Sequence, residues 1–232
     1  MPEFISTDAL VLNAKSLGEA TFIISIFTSE HGRHMGVLKK KHPPEIGTLC
    51  QATWKARLSD QLGTFYLEET KSYAPLLLDD MPRLNVLSNL CAMLDKALPE
   101  RQSYSELHSQ TLDFLTTLSQ EDFYENYVRF ELMLLSSLGF ALDMTECAGG
   151  GDKNDLAYIS PKTGRAVSRE KGHPYQDKLL KLPRFLWQNV TATPEDITDG
   201  LALTGHFLMA HLGTLPTART RILQDLLRRK NG

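Results

Sequence analysis

The hydrophobic period of this chain changes once, near residue 80. Before that point, apolar and β-branched residues stand in short runs broken by turn residues, a pattern typical of strands. After it, leucines and aromatic residues recur every three or four positions, as they do along amphipathic helices. The sequence therefore predicts an α+β protein of two parts, a β-rich domain over residues 1–80 and a helical domain over residues 81–232.

Five runs in the first part predict strands. They are ALVLNAKSL (9–17), ATFIISIFT (20–28), RHMGVLKK (33–40), LCQATWKARLS (49–59) and TFYLEETKSY (64–73). Turn residues separate several of them, at Gly18 and Glu19, at 30–32 and at 60–63. Five short strands at this spacing predict a small sandwich or barrel.

Six helices are predicted in the second part. Three cover the leucine-rich patterns at 84–94, 107–118 and 127–138, and three more run over 183–190, 194–212 and 216–229. Between the two groups, residues 140–174 hold five glycines and two prolines without a helical period. This segment is predicted to be a long loop or a small hairpin inserted into the helical domain.

Composition is typical of a cytoplasmic globular protein. The chain is 42% apolar and 23% charged, and its formal charge is −3. No apolar run approaches the roughly 18 residues that a membrane span requires, and the start, MPEFISTDAL, lacks the pattern of a signal peptide. Cys50, Cys91 and Cys147 are odd in number and far apart, which favours reduced thiols over disulfides or a zinc site.

The charge is distributed unevenly along the chain. Residues 81–150 hold 10 acidic and 4 basic side chains, whereas residues 151–232 hold 13 basic and 8 acidic ones. Residues 11–60 are also basic, with 7 basic and 4 acidic side chains. A polyanion would therefore be attracted to the two ends of the sequence and not to its middle.

The usual catalytic constellations are missing from the sequence. It contains neither a Gly-rich loop ending in Gly-Lys-Ser/Thr nor a Gly-x-Ser-x-Gly elbow. His206 and His211 lie five positions apart, on different faces of a helix, so joint metal ligation is not expected. Cys147 has no basic neighbour in sequence to lower the pKa of its thiol. We therefore expect no enzymatic activity.

A basic stretch at the end of the third predicted strand favours binding of a polyanion. Small five-stranded barrels hold nucleic-acid backbones with lysine and arginine, and they stack bases on aromatic rings. The candidates are Arg33, Lys39, Lys40 and Lys41 for phosphates, and Trp54, Phe65 or Tyr66 for bases. His31 and His34 flank a turn nearby, where a structural or phosphate-contacting role is favoured over acid-base chemistry. The alternative is a solvated turn whose lysines protect a sheet edge, and the pattern leaves both interpretations open.

Three stretches, in order along the chain, resemble the RecO family of bacterial recombination mediators. They are ALVLNAKSLGEATFIISIFTSEHGRHMGVLKKKH (9–42), YVRFELMLLSSLGFALDMTECAGGG (127–151) and LPTARTRIL (215–223). The first resembles the family's opening strands, which end in a basic loop. The second resembles its central helix, in which Arg-Phe-Glu precedes a leucine run and then a cysteine and glycines, and the third resembles the start of its final helix.

The resemblance implies a fold, a function and partners. The implied fold is a five-stranded OB-fold barrel followed by an all-helical domain. The implied function is to bind and anneal DNA, single- and double-stranded, and to help load RecA in the RecF pathway. The implied partners are RecR and the acidic C-terminal tail of single-strand-binding protein, in a bacterial cytoplasm with nucleoid association during repair. Strand pairing would carry Arg33, His34, Lys39, Lys40 and Lys41 onto one hairpin, where a phosphate backbone would neutralise them.

Two other functions remain open at this point. One is a protein adaptor with little DNA affinity of its own, in which the helical domain grips a partner. The other is a hydrolase, which would need a nucleophile and base that the sequence does not reveal.

The resemblance also bears on metal binding. Many members of the family carry a four-cysteine zinc module after the central helix. Here Cys147 stands at the first ligand position, Gly150 occupies the second, and no later cysteine exists. We therefore expect no zinc, with the 140–174 segment held by packing.

A binding site for the partner's tail is predicted in the helical domain. An acidic peptide with an apolar end needs an apolar pocket rimmed by cations. The predicted wall is Phe130, Leu134 and Phe207, and the predicted rim is Arg129, Arg219 and Arg221. Arginine suits such a rim because its planar fork pairs with a terminal carboxylate. In the alternative interpretation, Phe130 and Leu134 belong to the core and the arginines are solvated.

Overall fold

The computed structural model describes residues 2–230. The chain divides into two compact units. The first contains the described residues up to Ser119 together with Pro216–Arg219, and the second contains Gln120–Leu215 and the residues from Thr220 onward. The change from strands to helices falls near residue 80 as predicted. A domain that ends at that residue stays a prediction.

Five strands of the first unit form a closed barrel. They are β1 (Glu3–Gly18), β2 (Thr21–Thr28), β3 (Gly32–Lys39), β4 (Thr48–Lys55) and β5 (Thr64–Ser72). Their order around the barrel is β1-β2-β3-β5-β4, and β4 pairs with β1. Only the β3–β5 pair is parallel. A five-stranded barrel of this kind is an OB-fold, so the predicted fold of the first part is confirmed.

Side chains that alternate between the two faces of each strand fill the barrel interior. Along β3, Gly32, His34, Gly36 and Leu38 are buried, whereas the residues between them are at least partly accessible. Trp54 of β4 and Phe65 of β5 point into the same core, with exposures of 3% and 1%. The alternation follows from the pleat, which sends successive side chains to opposite faces of a strand.

Strand β1 begins six residues earlier than the sequence pattern predicts, at Glu3 instead of Ala9. Its first residues pair with β4, with Phe4 opposite Trp54 and Ile5 opposite Thr53. The register shifts between Ser6 and Ala9, and the period-2 pattern is broken there. The extension depends on a partner strand about 50 residues away, so the local pattern could not reveal it.

Six α-helices accompany the sheets within residues 2–230. They are α1 (Met81–Ala97), α2 (Ser105–Thr117), α3 (Phe123–Ser137), α4 (Arg169–Gly172), α5 (Pro194–Leu212) and α6 (Thr217–Lys230). Asp80 caps α1 by accepting a hydrogen bond from the Arg83 backbone N–H. Thr193 and Asp196 form a capping box at the start of α5. None of the helices among the described residues has the length and apolar character to cross a membrane.

The second unit is not wholly helical. Strands β6 (Leu156–Ile159), β7 (Ala166–Ser168) and β8 (Leu180–Lys181) form a three-stranded sheet in the order β7-β6-β8. Its β6–β7 hairpin lies inside the 140–174 segment, where a loop or small hairpin is predicted. The helix predicted from Pro183 to Val190 is wrong, because only Arg184–Leu186 form a 3₁₀ turn. Asn189, one helical turn after the buried Phe185, has no apolar side chain that would favour continuing the helix.

A buried carboxylate joins α3 to α5 within the second unit. Glu131 is fully buried and accepts hydrogen bonds from the Tyr127 hydroxyl, at 2.9 Å, and from the Thr204 hydroxyl. Gly200 lets the two helices approach, since a Cβ there would lie 2.8 Å from a Val128 methyl group. A polar group buried in this way stabilises one arrangement of the helices, because any other arrangement leaves it unpaired.

Candidate nucleic-acid interface

The lysine segment, defined as Lys39, Lys40 and Lys41, lies where β3 leaves the barrel. All three side chains are exposed. Lys39 is opposite Thr21 in β2, and the Lys40 backbone N–H donates to the Ala20 carbonyl at 3.1 Å, so the barrel fixes the backbone of the segment. The pleat explains the orientation, because Leu38 points inward and Lys39 therefore points outward.

Two of the three lysines carry charge that no carboxylate of the described residues offsets. Lys40 pairs with Glu69 through a 2.6 Å contact between its Nζ and a carboxylate oxygen. Lys39 and Lys41 have no ion-pair partner among residues 2–230. Both partners of the Lys40–Glu69 pair are about 40% exposed, so the pair contributes only about 0–1 kcal/mol and exchanges readily for another anion. The segment therefore presents a local positive charge to solvent.

Arg33 lies at the opposite end of β3 from the lysine segment. Lys39 lies six positions further along the strand, roughly 20 Å away. Its Nε donates to the Leu98 carbonyl at 2.7 Å, and its guanidinium lies 3.6 Å from Asp95 and 3.7 Å from Glu100. Arg33 therefore fastens the end of α1 to the barrel, and the structure does not bring it together with the lysines.

His34 lies inside the barrel. Its side chain is 5% exposed and contacts the rings of Phe4 and Trp54 edge-on, with centroid distances of 4.9 and 4.6 Å. Neither ring nitrogen has a hydrogen-bond partner among the described residues. The predicted placement of His34 on the DNA-binding surface is corrected here, because a strand residue next to an outward-facing Arg33 points inward.

Only one of the three aromatic candidates is exposed. Trp54 and Phe65 belong to the core, and Trp54 donates its indole N–H to the Leu62 carbonyl at 3.0 Å. Tyr66 is 63% exposed. Of the rings proposed from the sequence, Tyr66 alone has a face available to a base.

Two cations near Tyr66 were not among the candidates predicted from the sequence. Lys55 ends β4, pairs with Glu3 at 2.9 Å and lies opposite Thr64 in β5. Arg57 follows in the β4–β5 connection, exposed and without an ion-pair partner in the part of the chain that the structure describes. The alternation along β4 was the signal that could have found Lys55, because inward-facing Trp54 sends its neighbour outward.

The residues predicted to hold the partner's tail are mostly buried. Phe130 and Leu134 are fully buried, Phe207 is 8% exposed and Arg219 is 5% exposed. Side chains this deep cannot wall or rim an open groove, so the apolar ones follow the alternative interpretation and belong to the core.

The other two arginines of that prediction are accessible. Arg129 pairs with Glu125 at 2.6 Å and lies over the Phe185 ring, whereas Arg221 is exposed. Contact of the tail with these arginines stays a prediction.

An open apolar hollow of about 330 Å³ lies in the second unit. Its floor includes Tyr124, Ile197 and Leu226, and its rim includes Glu121 and Asp122. The carboxylates at this rim would repel an acidic peptide. This hollow therefore does not suit the acidic tail.

The thiol of Cys147 lies among hydrogen-bond donors. Its Sγ accepts from the Ser168 backbone N–H at 3.2 Å and lies 3.5 Å from the Ser168 hydroxyl. Burial alone would raise the pKa of this thiol, but hydrogen bonds from Ser168, Gly151 and Gly149 outweigh burial and lower the pKa to about 7. The pKa of Cys147 is therefore lowered without a basic neighbour, by hydrogen-bond donors that include Ser168, 21 residues away in sequence.

These surroundings do not fit a zinc ion. A structural zinc site needs four ligands, commonly cysteine and histidine. Among residues 2–230, no three His, Cys, Asp or Glu side chains are placed to hold a metal. The groups closest to Cys147 Sγ are N–H and O–H donors, which stabilise a thiolate and not a cation.

Replacing Ser168 with alanine is expected to raise the pKa of Cys147 above 7 toward the ordinary thiol value. The rate of iodoacetamide alkylation as a function of pH measures this pKa, with Cys147→Ser identifying the reacting thiol. Burial raises the pKa of Cys50 and of Cys91 to about 12, so these thiols should stay unreactive in the folded protein. A wild-type midpoint near pH 9 would contradict this prediction.

The barrel and its basic edge define the class of this protein, an OB-fold protein extended by helices. Residues 1–73 match the family model described as "Recombination protein O N terminal", and residues 78–220 match "Recombination protein O C terminal". The chain belongs to the RecO family, whose proteins function in DNA repair and recombination.

Relatives with high coverage support this assignment. The DNA repair protein RecO of Rhodospirillum centenum is 44% identical over 229 residues, which covers 93% of this chain and 92% of the relative. The DNA repair protein RecO of Jannaschia sp. is 42% identical over 233 residues and covers 95% of both chains. The one from Mesorhizobium japonicum is 37% identical over 214 residues, 88% of this chain and 84% of the relative.

Proposed function

We propose that this protein is a noncatalytic DNA-binding mediator of recombinational repair that holds DNA through the lysine segment. The observation that carries the proposal is the exposure of three consecutive lysines at the edge of an OB-fold barrel, two of them without a carboxylate partner in the described part of the chain. A phosphate backbone supplies the negative charge that this segment lacks, and the release of counterions from DNA favours the complex. Family membership supports a role at DNA and does not identify the surface.

The lysine segment is suited to phosphates and not to sequence readout. Lysine is a compact point charge on a flexible stem, and it makes no planar paired contact of the kind that arginine makes with guanine. Contacts limited to phosphates leave the base edges free to pair. A protein that neutralises two strands in this way favours their annealing, which is the mediator activity that we propose.

The helical unit completes the proposal as the site of protein contacts. We assign to it the acidic tail of single-strand-binding protein and RecR, with help in loading RecA as the outcome. Arg129 and Arg221 remain candidates for the tail because both have accessible guanidinium groups. Recruitment to DNA in a bacterial cytoplasm would then associate the protein with the nucleoid during repair.

Replacing Lys39, Lys40 and Lys41 together with alanine is expected to weaken DNA binding roughly 10- to 100-fold at low salt. The loss should be similar for all sequences and for single and double strands, because phosphates carry no sequence information. The plot of log affinity against log salt should flatten by up to about 3 units. Fluorescence anisotropy of labelled DNA across a salt series measures both quantities.

A triple arginine variant at the same positions is the matched control. It keeps the charge and should bind DNA with nearly wild-type salt dependence. Wild-type affinity and slope in a folded alanine variant would exclude the lysine segment. If the unmodified protein itself shows little DNA affinity and little salt dependence, it is instead an adaptor whose partners are proteins.

A further inference from the structure

Tyr66 is a large aromatic side chain that the fold leaves uncovered. It follows Phe65, which points into the barrel with 1% exposure, so the pleat of β5 turns Tyr66 outward, where it is 63% exposed. Its neighbour across the β4–β5 pair is Thr53, a small side chain that leaves the ring accessible from that side. The barrel therefore presents a largely exposed aromatic ring on its outer wall.

The lysine segment begins beside this ring. Strands β3 and β5 run parallel, with Val37 opposite Thr64 and Leu38 opposite Phe65. The next residues along the two strands are Lys39 and Tyr66, and both face outward because Leu38 and Phe65 face inward. Neighbouring strands lie about 4.8 Å apart, so the first lysine and the ring occupy adjacent positions on one surface.

Positive charge also lies on the other side of Tyr66. A hollow of about 530 Å³ is lined by Tyr66, Lys55 and Arg57, and a second of about 310 Å³ is lined by Tyr66, Lys39 and Lys40. The two hollows share Tyr66 and Thr64. Cations therefore flank the ring both toward β3 and toward the β4–β5 connection.

A carboxylate on β5 disfavours a path along that strand for an anionic chain. Glu68 is the next outward-facing residue after Tyr66 on that strand, and it lines the second hollow. A chain of phosphates that followed β5 would meet this carboxylate. A chain that crosses from β3 over β5 to the β4–β5 connection meets lysines, then the ring, then Arg57.

We propose that single-stranded DNA crosses the barrel at Tyr66, with one base stacked on its ring and the flanking phosphates held by the lysine segment on one side and Arg57 on the other. This inference rests on the proposed DNA-binding function and adds strand preference to it. Only an unpaired strand fits, because the bases of a duplex already stack on each other and do not offer a free face. Stacking tolerates any sequence, since every base has such a face.

The test compares Tyr66→Ala with wild type on three labelled ligands of equal length: a single strand, its duplex, and a single strand without bases. Anisotropy titrations over a salt series give affinity and slope. Tyr66→Ala should weaken single-strand binding roughly 5- to 100-fold with unchanged slope, because it removes a stacking contact and no charge. Binding of the duplex and of the base-free strand should change less than about twofold.

Two further variants make the result specific. Tyr66→Phe keeps the ring and should recover most of the affinity that Tyr66→Ala loses. Tyr175→Ala removes another exposed tyrosine, 62% accessible, from the second unit and should bind like wild type. Arg57→Ala should lower the salt slope for the single strand by about 1 unit.

The outcomes separate this inference from the function on which it rests. A lysine-segment variant that loses DNA while Tyr66→Ala binds single strands normally overturns the stacking proposal alone. Equal losses on the single strand and on the base-free strand also overturn it, since stacking needs a base. Full affinity in the lysine-segment variant overturns the proposed function instead.

Discussion

Lowering the pH from 6.5 to 4 is expected to reduce the free energy of unfolding of the barrel by up to about 3 kcal/mol through His34 alone. Burial is the main cause that lowers the pKa of His34 from 6.5 to about 4, and the positive charges of Arg101 and His31 lower it further. The imidazole lies among Phe4, Trp54 and Phe65, where a charged ring would have no partner.

The sign of the effect follows from which state takes up the proton. Unfolded His34 binds a proton below pH 6.5, whereas the folded protein keeps it neutral until about pH 4. Between these values the unfolded state binds more protons, so stability falls as the pH falls. Above pH 6.5 the contribution is fully present, and below about pH 4 it is lost.

His34→Phe isolates this contribution, because it keeps a planar ring and removes the titration. Urea unfolding, followed by the fluorescence of Trp54 in a Trp187→Phe background, measures the stability of the barrel at each pH. At pH 7.5 the variant should be at least as stable as wild type, because it also removes two unpaired nitrogens. Near pH 4 the variant should be more stable than wild type by about 3 kcal/mol, which is nearly the whole contribution of His34 protonation to the free energy of unfolding.

His42→Phe is the matched control, since His42 is an exposed histidine on the same unit. Other groups also titrate in this range, among them His108, whose pKa burial lowers. They act equally in both proteins and cancel in the comparison. A difference between His34→Phe and wild type that is constant with pH would contradict this account.

His34 shows how a sequence pattern is best used. The period-2 pattern of RHMGVLKK predicted the strand correctly. The same pattern also predicts that the side chains of Arg33 and His34 point to opposite faces of the strand. The two could therefore not both contact DNA. The misplacement of His34 therefore came from treating a basic stretch as one surface. Tyr66, by contrast, could be placed from alternation once Phe65 was known to be buried.

Other features depend on contacts between distant parts of the chain. The first residues of β1 become a strand because β4 pairs with them, and β8 joins β6 through two residue pairs. The pKa of Cys147 depends on Ser168, which is 21 residues away. Such effects arise from tertiary pairing, which overrides or supplements local propensity and has no local signature.

The prediction of apolar wall residues for the tail pocket was wrong for a related reason. The helical period that makes Phe130 and Leu134 conspicuous is the period of a face that packs into a core. Both are fully buried. The exposure of Arg129 and Arg221 depends on their positions around their helices. The same helical period could therefore have predicted that both are solvated.

Gly32→Ala is expected to destabilise the barrel by about 3 kcal/mol or more. Gly32 has a φ of +61°, a conformation that disfavours any residue with a Cβ. A Cβ there would also lie 1.7 Å from the Gln102 carbonyl oxygen. The clash cannot relax easily, because Arg101 N–H donates to the Arg33 carbonyl at 2.8 Å and Arg33 Nε donates to the Leu98 carbonyl. These bonds hold the two backbone segments together at the point of contact.

Two variants separate the clash from the backbone strain. Asparagine tolerates a positive φ better than alanine, so Gly32→Asn would recover stability if strain alone mattered. Because its Cβ meets the same carbonyl, we expect Gly32→Asn to remain strongly destabilised. Gly18, in the same barrel, has no positive φ, and a Cβ added there would lie more than 4 Å from every described heavy atom beyond its chain neighbours. Gly18→Ala should therefore change the free energy of unfolding by no more than about 0.5 kcal/mol. Urea unfolding monitored by Trp54 compares all three, and a Gly32→Ala protein as stable as Gly18→Ala would show that the segment around Gln102 does not pack on β3 as described.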